Sequence, residues 1–184
     1  LRDFMAAEKA LENWSYSEAF ERYRPLAEAG VSLAQYRMGE MYETGPVETR
    51  NIGLALEFYI KAAGRRLSQA FSRIGKLYSE SHVIGINLIE AYKWLNLGAY
   101  FGDFASVPMR EALAAKMSLT EILQAQEESS TMLRKNWGGS DKRKKIFESL
   151  NEAYGELEGT FRYAEIIDGR NLKTFLFDYT ESAK

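Results

Sequence analysis

The sequence contains no cysteine and a single histidine among its 184 residues. Without cysteine the chain can form no disulfide, no thiolate metal site and no cysteine nucleophile. His82 alone cannot supply a catalytic triad or a histidine-rich metal site. A glycine-rich phosphate loop is missing too, because "GGSD" at 138–141 lacks the required spacing and the lysine. We therefore expect no catalytic residue, no cofactor and no bound metal.

Strong charge and long apolar runs are also missing. With 24 basic and 26 acidic side chains the net charge is −2, so no overall field attracts nucleic acid or an anionic membrane. No apolar run approaches the roughly 18–20 residues that a membrane span requires. Three prolines and 13% aromatic residues favour a folded chain. The first residue is Leu1 and not Met, so we expect a processed chain or a fragment of a larger protein.

What the sequence does contain is a repeat with a period of 36 residues. The stretch "AQYRMGEMY" at 34–42 returns as "AFSRIGKLY" at 70–78, with alanine, glycine and tyrosine in the same order. The correspondence continues downstream and extends more weakly upstream. Its matched positions include Ser15, Asn51 and Asn87, followed by Ala19, Ala55 and Ala91. Internal repeats of this length are typical of stacked helix pairs.

Each copy has the apolar spacing of two helices. Gly39 and Gly75 fall inside the first helix of their copies, where glycine costs about 1 kcal/mol relative to alanine. We expect a neighbouring helix to approach closely at both positions. The second helices have good N-cap residues at Ser15, Asn51 and Asn87. Left-handed C-cap residues are expected near their ends, at Gly30, Gly64 and either Gly98 or Gly102.

These motifs resemble a known family. "AQYRMGEMYETG" followed by "NIGLALEFYIKAAG" resembles one unit of the Sel-one-like repeat family, a solenoid family related to the tetratricopeptide repeat. "AFSRIGKLY" followed by "NLIEAYKWLNLGAYFGD" resembles the next unit, and "REALAAKMSLTEILQAQ" resembles the segment that closes bacterial members. The resemblance implies an all-α fold, a right-handed α-solenoid of helix-turn-helix repeats. The regular spacing fails after Gly102, since Ser106 and Arg110 stand where alanine and leucine are expected.

We expect a repeat domain at 1–137 with capping helices, and a C-terminal extension at 138–184. Ser118 and Glu121 form a capping box that opens a long helix ending near residue 137. In the extension, 141–158 is predicted to be helical, and 160–179 is predicted to be a β-hairpin around a central Asp-Gly turn. A lone hairpin is marginally stable. The tail is therefore expected to pack on the last helices or to mediate self-association.

The candidate partner-binding residues lie at variable polar positions of the first helices, which line the inner surface of helical solenoids. They are Tyr36, Arg37, Glu40, Arg73 and Lys76. The alternative interpretation is an ordinary exposed face. By contrast, aromatic residues recur at equivalent places in successive repeats, which favours core packing over an aromatic binding stripe. They are Tyr42, Tyr59, Tyr78 and Trp94.

The dense basic run "DKRKK" at 141–145 is a second candidate docking site. Its cations could contact phosphates or lipid head groups, although a short charge run is also typical of a solvated surface. The residues concerned are Lys142, Arg143, Lys144 and Lys145.

The predicted function is non-catalytic binding of a protein or peptide on the concave surface. The family resemblance implies an adaptor or assembly role in bacterial envelope, secretion or signalling systems, and with it a periplasmic or secreted location. A cytoplasmic location is equally compatible with the absence of cysteine. Two alternatives stay open: binding of a cell-wall glycan or peptide fragment, and a regulatory subunit that docks through 141–145. No nucleic-acid partner is expected.

Overall fold

The computed structural model describes residues 2–138, which are helical apart from the connecting turns. The α-helices of this part are Arg2–Glu12 (α1), Tyr16–Glu28 (α2), Ser32–Thr44 (α3), Ile52–Gly64 (α4), Ser68–Glu80 (α5), Leu88–Tyr100 (α6), Ser106–Ala114 (α7) and Leu119–Trp137 (α8). A short 3-10 helix, Val47–Thr49, lies in the loop between α3 and α4. The all-helical prediction is thereby confirmed for this part. The predicted helix at 141–158, the hairpin at 160–179 and the basic run at 141–145 lie outside the described residues.

From α1 to α7 each helix packs against the next, so the chain forms an array of stacked helix pairs. We call α1, α3, α5 and α7 the A helices, and α2, α4 and α6 the B helices. Within a pair the helices touch at glycine. A Cβ atom on Gly39 would lie 2.6 Å from Cε1 of Tyr59, and one on Gly75 would lie 2.5 Å from Cγ of Leu95. The prediction that both glycines mark close helix approaches is confirmed.

The α3–α4 and α5–α6 loops close in the same way despite their different sequences. The backbone N–H of Asn51 donates to the carbonyl of Tyr42 at 2.9 Å, and that of Asn87 donates to the carbonyl of Tyr78 at 2.8 Å. The side chains of Asn51 and Asn87 then each accept a 3.0 Å hydrogen bond from a backbone N–H of the following helix. The predicted side-chain caps at Asn51 and Asn87 are confirmed. The third predicted N-cap residue, Ser15, does precede α2, but its side chain makes no capping bond.

The B helices all end in one type of turn. In each turn a backbone N–H donates to the carbonyl five residues earlier. The donors are Val31 at 2.9 Å, Leu67 at 3.2 Å and Asp103 at 2.8 Å. The preceding residues have a left-handed backbone: Gly30 (φ 84°), Arg66 (φ 64°) and Gly102 (φ 84°). The predicted left-handed cap at Gly64 was wrong, because Gly64 still belongs to α4 and the turn falls two residues later. Gly98 lies inside α6, where a Cβ atom would clash with Ser106.

Buried aromatic and small residues fill the space between the stacked helices. Tyr59 is fully buried and Trp94 is 4% exposed. Tyr42 and Tyr78 are partly buried and pack against the same core clusters. The four recurring aromatic residues therefore serve the core, as the repeat pattern predicted.

Helix α7 packs against α5 and α6 although its sequence departs from the repeat. Ser106 and Arg110 are buried in it, where earlier repeats have apolar residues. Both polar side chains are hydrogen-bonded: Ser106 Oγ donates to Asp103 Oδ2 at 2.7 Å, and Arg110 Nη1 donates to Asn96 Oδ1 at 2.8 Å. Buried polar groups are tolerated when they are bonded in this way. Helix α7 thus occupies the place of a further A helix.

Helix α8 packs along α6 and covers a side of it that earlier B helices leave open. Asn96 on α6 is 4% exposed, whereas Ile60, its equivalent on α4, is 37% exposed. Asn96 Nδ2 donates to Ser129 Oγ at 2.8 Å, and the indole of Trp137 donates to the carbonyl of Gly64 at 3.0 Å. The predicted capping box of Ser118 and Glu121 opens the helix. None of the helices within residues 2–138 is long and apolar enough to cross a membrane.

Candidate functional site

The solvent-facing side of α1, α3 and α5 carries a connected set of charged side chains. We call this surface the A face and define it by the connected residues Glu8, Tyr36, Arg37, Glu40 and Arg73, together with Lys76, which lies beside them without a bond to them. The guanidinium of Arg37 donates to Glu8 through Nε at 2.8 Å and through Nη2 at 3.0 Å. Its Nη1 donates to Glu40 at 2.8 Å. A two-pronged bond of this kind fixes both position and orientation.

Glu40 joins the first arginine to the second. One of its oxygens accepts from Arg37, and the other accepts from Nη2 of Arg73 at 3.1 Å. Arg73 also donates from Nε to the hydroxyl of Tyr36 at 3.2 Å and lies 3.7 Å from a carboxylate oxygen of Glu43. The ion pairs therefore connect α1 to α3 and α3 to α5.

Two buried tyrosines of the B helices form hydrogen bonds to the carboxylates of this network from the core side. The hydroxyl of Tyr23 donates to Glu8, and that of Tyr59 donates to Glu43 at 2.6 Å. Burial raises the pKa of both hydroxyls well above the ordinary value, and the bonds to the carboxylates raise each pKa further. Both tyrosines therefore stay neutral donors across the physiological pH range.

The arginines are charged at every physiological pH, as guanidinium groups are, and their surroundings reinforce this. Burial alone lowers the pKa of Arg37, but its hydrogen bonds to Glu40 and Glu8 outweigh that effect and raise the pKa above the ordinary value. The side chain of Arg37 is 33% exposed and that of Arg73 is 34% exposed. Each guanidinium is therefore held from inside the protein while part of it still faces solvent.

The arrangement of carboxylate, tyrosine and arginine occurs twice and then stops. Its two copies are Glu8, Tyr23 and Arg37, and then Glu43, Tyr59 and Arg73. The two tyrosines and the two arginines are separated by one repeat period. In the next unit Leu95 and Met109 stand at the tyrosine and arginine positions. The polar network therefore ends at α5.

Four of the five predicted binding residues belong to this network: Tyr36, Arg37, Glu40 and Arg73. Lys76 lies on the same side of α5, is exposed, and takes no part in the ion pairs of the described residues. Sequence reasoning missed Glu8, Glu43 and the hydroxyl groups of the two tyrosines. Residues Lys142, Arg143, Lys144 and Lys145 lie outside the described part of the chain.

The chemistry of the A face is that of recognition by charge and hydrogen bonding. Within residues 2–138 no group of three or more histidine, cysteine, aspartate or glutamate side chains could hold a metal ion. His82 is exposed in the turn between α5 and α6, away from the network. The carboxylates of the face are already engaged by arginine and tyrosine donors.

Comparison with known proteins agrees with this architecture. The sequence pattern of the Sel1 repeat matches residues 32–65 and 72–103, the segments that form α3 with α4 and most of α5 with α6. The fold is similar to the crystal structure of c5321, a protective antigen present in uropathogenic Escherichia coli strains and displaying an SLR fold, with a TM-score of 0.59. The two chains are 18% identical, and the likeness covers 79% of this chain but 30% of that one. The sequence matches no curated protein.

The stacked pairs and their recurring contacts define a helical-repeat protein. More specifically, two of its helix pairs, at residues 32–65 and 72–103, match the Sel1 repeat. Folds of this family commonly mediate protein–protein interaction and are typically non-catalytic scaffolds.

Proposed function

We propose that this chain is a non-catalytic scaffold that binds a protein or peptide on its A face. The A face would form the inner surface of a right-handed superhelix built by residues 1–137. Residues 138–184 would be an extension outside the repeat array. The family's common role in protein–protein interaction supports the proposal.

The observation that carries the proposal is the internal bracing of the A face. Arg37 and Arg73 are oriented by carboxylates of the same protein before any partner arrives. A surface held in its binding geometry loses little side-chain freedom on association, which favours affinity. Each guanidinium has five N–H donors, and the hydrogen bonds described here leave some of them for a partner.

Site-specific cross-linking tests this proposal, and the absence of cysteine makes it simple. A single cysteine at Gln69 or Glu80 places a benzophenone-maleimide label on the A-helix side of α5. Matched controls carry the label at Glu57 on α4 or at Lys135 on α8. All four residues are exposed, and none belongs to the ion-pair network, so the labelled proteins should stay folded.

We expect the two A-helix labels to cross-link the same protein from a lysate of the source cells, and the two controls not to. Capture of that protein from Glu57→Cys or Lys135→Cys alone would place the binding surface elsewhere. The measurement is mass spectrometry of the cross-linked bands.

The two alternative functions have less support. A glycan-binding groove is expected to present open aromatic rings, but the ring of Tyr36 packs against Tyr59 at a centroid distance of 5.4 Å. Docking through 141–145 stays a prediction, because that segment lies outside the described residues.

A further inference from the structure

The charges of the A face alternate in sign along the array and then fail to alternate. From α1 to α5 the order is Glu8, Arg37, Glu40 and Arg73, and each neighbouring pair is joined by an ion pair. One turn after Arg73, at the position that corresponds to Glu40, the chain has Lys76. Two cations therefore follow each other where the earlier unit has a cation and a carboxylate.

No acceptor within the described residues satisfies Lys76. Its side chain is exposed, and none of the ion pairs or side-chain hydrogen bonds of residues 2–138 includes its ammonium group. Glu80 lies one turn further along α5 but makes no ion pair with it. Like charges one turn apart on a helix destabilise it. The contacts of the described residues therefore give no reason for a lysine at this position.

The surface next to these cations is apolar. Helix α7 packs on α5 and has Pro108, Met109 and Ala112 at the positions that correspond to Ser72, Arg73 and Lys76. Pro108 and Ala112 are exposed, and Met109 is partly buried. The charged part of the A face thus ends in two cations beside a short apolar wall.

We infer that the partner of the A face carries an acidic side chain next to an apolar one, and that its carboxylate binds between Arg73 and Lys76. This inference rests on the proposed function. A carboxylate at this place would restore the alternation of charge, because it would follow Arg73 as Glu40 follows Arg37. Charge-assisted hydrogen bonds to lysine and arginine are among the stronger ones in proteins. The apolar neighbour of the carboxylate would lie against α7.

Peptide pools of defined composition test the inference without knowledge of the natural partner. Three pools of fluorescent decapeptides are compared. Every position is either glutamate or leucine in the first pool, glutamine or leucine in the second, and lysine or leucine in the third. Fluorescence anisotropy measures their binding to the full chain. We expect the glutamate pool to bind at least about ten-fold more tightly than the glutamine pool, and the lysine pool least tightly. High salt should weaken the binding of the glutamate pool because it screens exposed charges.

The decisive variant is Lys76→Glu, with Lys135→Glu on α8 as a control of the same charge change. Lys76→Glu should lower the affinity for the glutamate pool at least about ten-fold. It should also unfold at an equal or higher urea concentration, because a glutamate there can pair with Arg73. Lys135→Glu should leave the affinity within about two-fold of wild type. Lys76→Met, which adds no negative charge, should also lose binding.

Three results would overturn the inference: equal binding of the glutamate and glutamine pools, full binding by Lys76→Glu, or no binding of any pool at millimolar concentration. None of them decides the proposed function, because the cross-linking experiment tests the A face with any partner chemistry. Conversely, if cross-linking places the partner away from α5, the proposed function fails even where acidic peptides bind.

Discussion

Arg37 on α3 holds Glu8 on α1 through two hydrogen bonds, of 2.8 and 3.0 Å, although the two residues are 29 positions apart in the chain. The same glutamate accepts the hydroxyl of Tyr23 from the helix between them. Three successive helices therefore meet at one carboxylate. This contact has a structural role, because it fixes the distance between the neighbouring A helices α1 and α3.

We predict a larger coupling energy for Arg37 and Glu8 than for a simple surface pair. A double-mutant cycle with Arg37→Gln and Glu8→Gln should give about 1 kcal/mol, because the bond is two-pronged and partly buried. The control is Arg22 and Glu18, an exposed pair on α2 at 2.8 Å, which should give about 0.3 kcal/mol. Urea unfolding measures both cycles. Equal coupling in the two pairs would mean that Glu8 does not brace the array.

We predict that Gly39→Ala and Gly75→Ala each destabilise the fold by about 1–3 kcal/mol. The new methyl groups would meet Tyr59 and Leu95 at distances that no real side chain shows. Gly64→Ala is the matched control, since nothing lies within 4 Å of its Cβ position. That variant should be neutral or more stable by up to about 1 kcal/mol, as alanine favours helix. Thermal unfolding tests all three, and tolerance of Gly39→Ala would contradict the close approach.

We predict that Arg66→Gly is more stable than Arg66→Ala by about 1 kcal/mol. Arg66 has a φ of 64°, a conformation that costs little only for glycine. Both variants lose the hydrogen bond from Arg66 to the carbonyl of Trp137. Their difference in unfolding free energy therefore reports the backbone alone. An alanine variant as stable as the glycine variant would show that the turn adjusts its geometry.

We predict a loss of stability above pH 10 that depends on Tyr23 and Tyr59. The folded state raises the pKa of both hydroxyls, so only the unfolded chain releases their protons above about pH 10, the ordinary tyrosine value. Stability is fully present below that pH and falls as pH rises, by about 1.4 kcal/mol per pH unit for each tyrosine.

Urea unfolding between pH 8 and pH 11 checks this pH dependence. The Tyr23→Phe, Tyr59→Phe double variant should be less stable at pH 8, because two carboxylates lose a donor. Above pH 10 its stability should fall less steeply than that of the wild type. If the stability of the two proteins fell equally steeply with pH, the pH dependence would not come from Tyr23 and Tyr59.

The repeat period predicted the helix pairs well because small residues at helix contacts recur in the sequence itself. Gly39, Gly75, Asn51 and Asn87 were all assigned correctly for that reason. The left-handed turn residue was missed at Arg66, since a glycine two residues earlier gave a stronger signal. Backbone hydrogen bonds set the position of that turn, and the second repeat makes it without glycine.

The ion-pair network could be predicted only in part. The spacing of Arg37 and Arg73 by one period was a usable signal, and so was that of the tyrosines at 23 and 59. Their carboxylate partners follow a less exact spacing, and Glu8 lies in α1, before the recognised repeats. Contacts between residues far apart in sequence leave no periodic trace when only one partner repeats.

The turns that end the B helices have a consequence for how such a protein can lengthen. Residues 32–67 begin just after the turn at Val31 and finish with the turn at Leu67. In both turns the backbone N–H bonds to the carbonyl five residues earlier. A tandem duplication of this 36-residue block in the gene would therefore join existing ends without a new connecting sequence. At the added boundary the copied Arg37 would face Tyr36, Glu40 and Glu43, the partners that Arg73 has now. Growth by whole units would keep both the joints and the charge pattern intact.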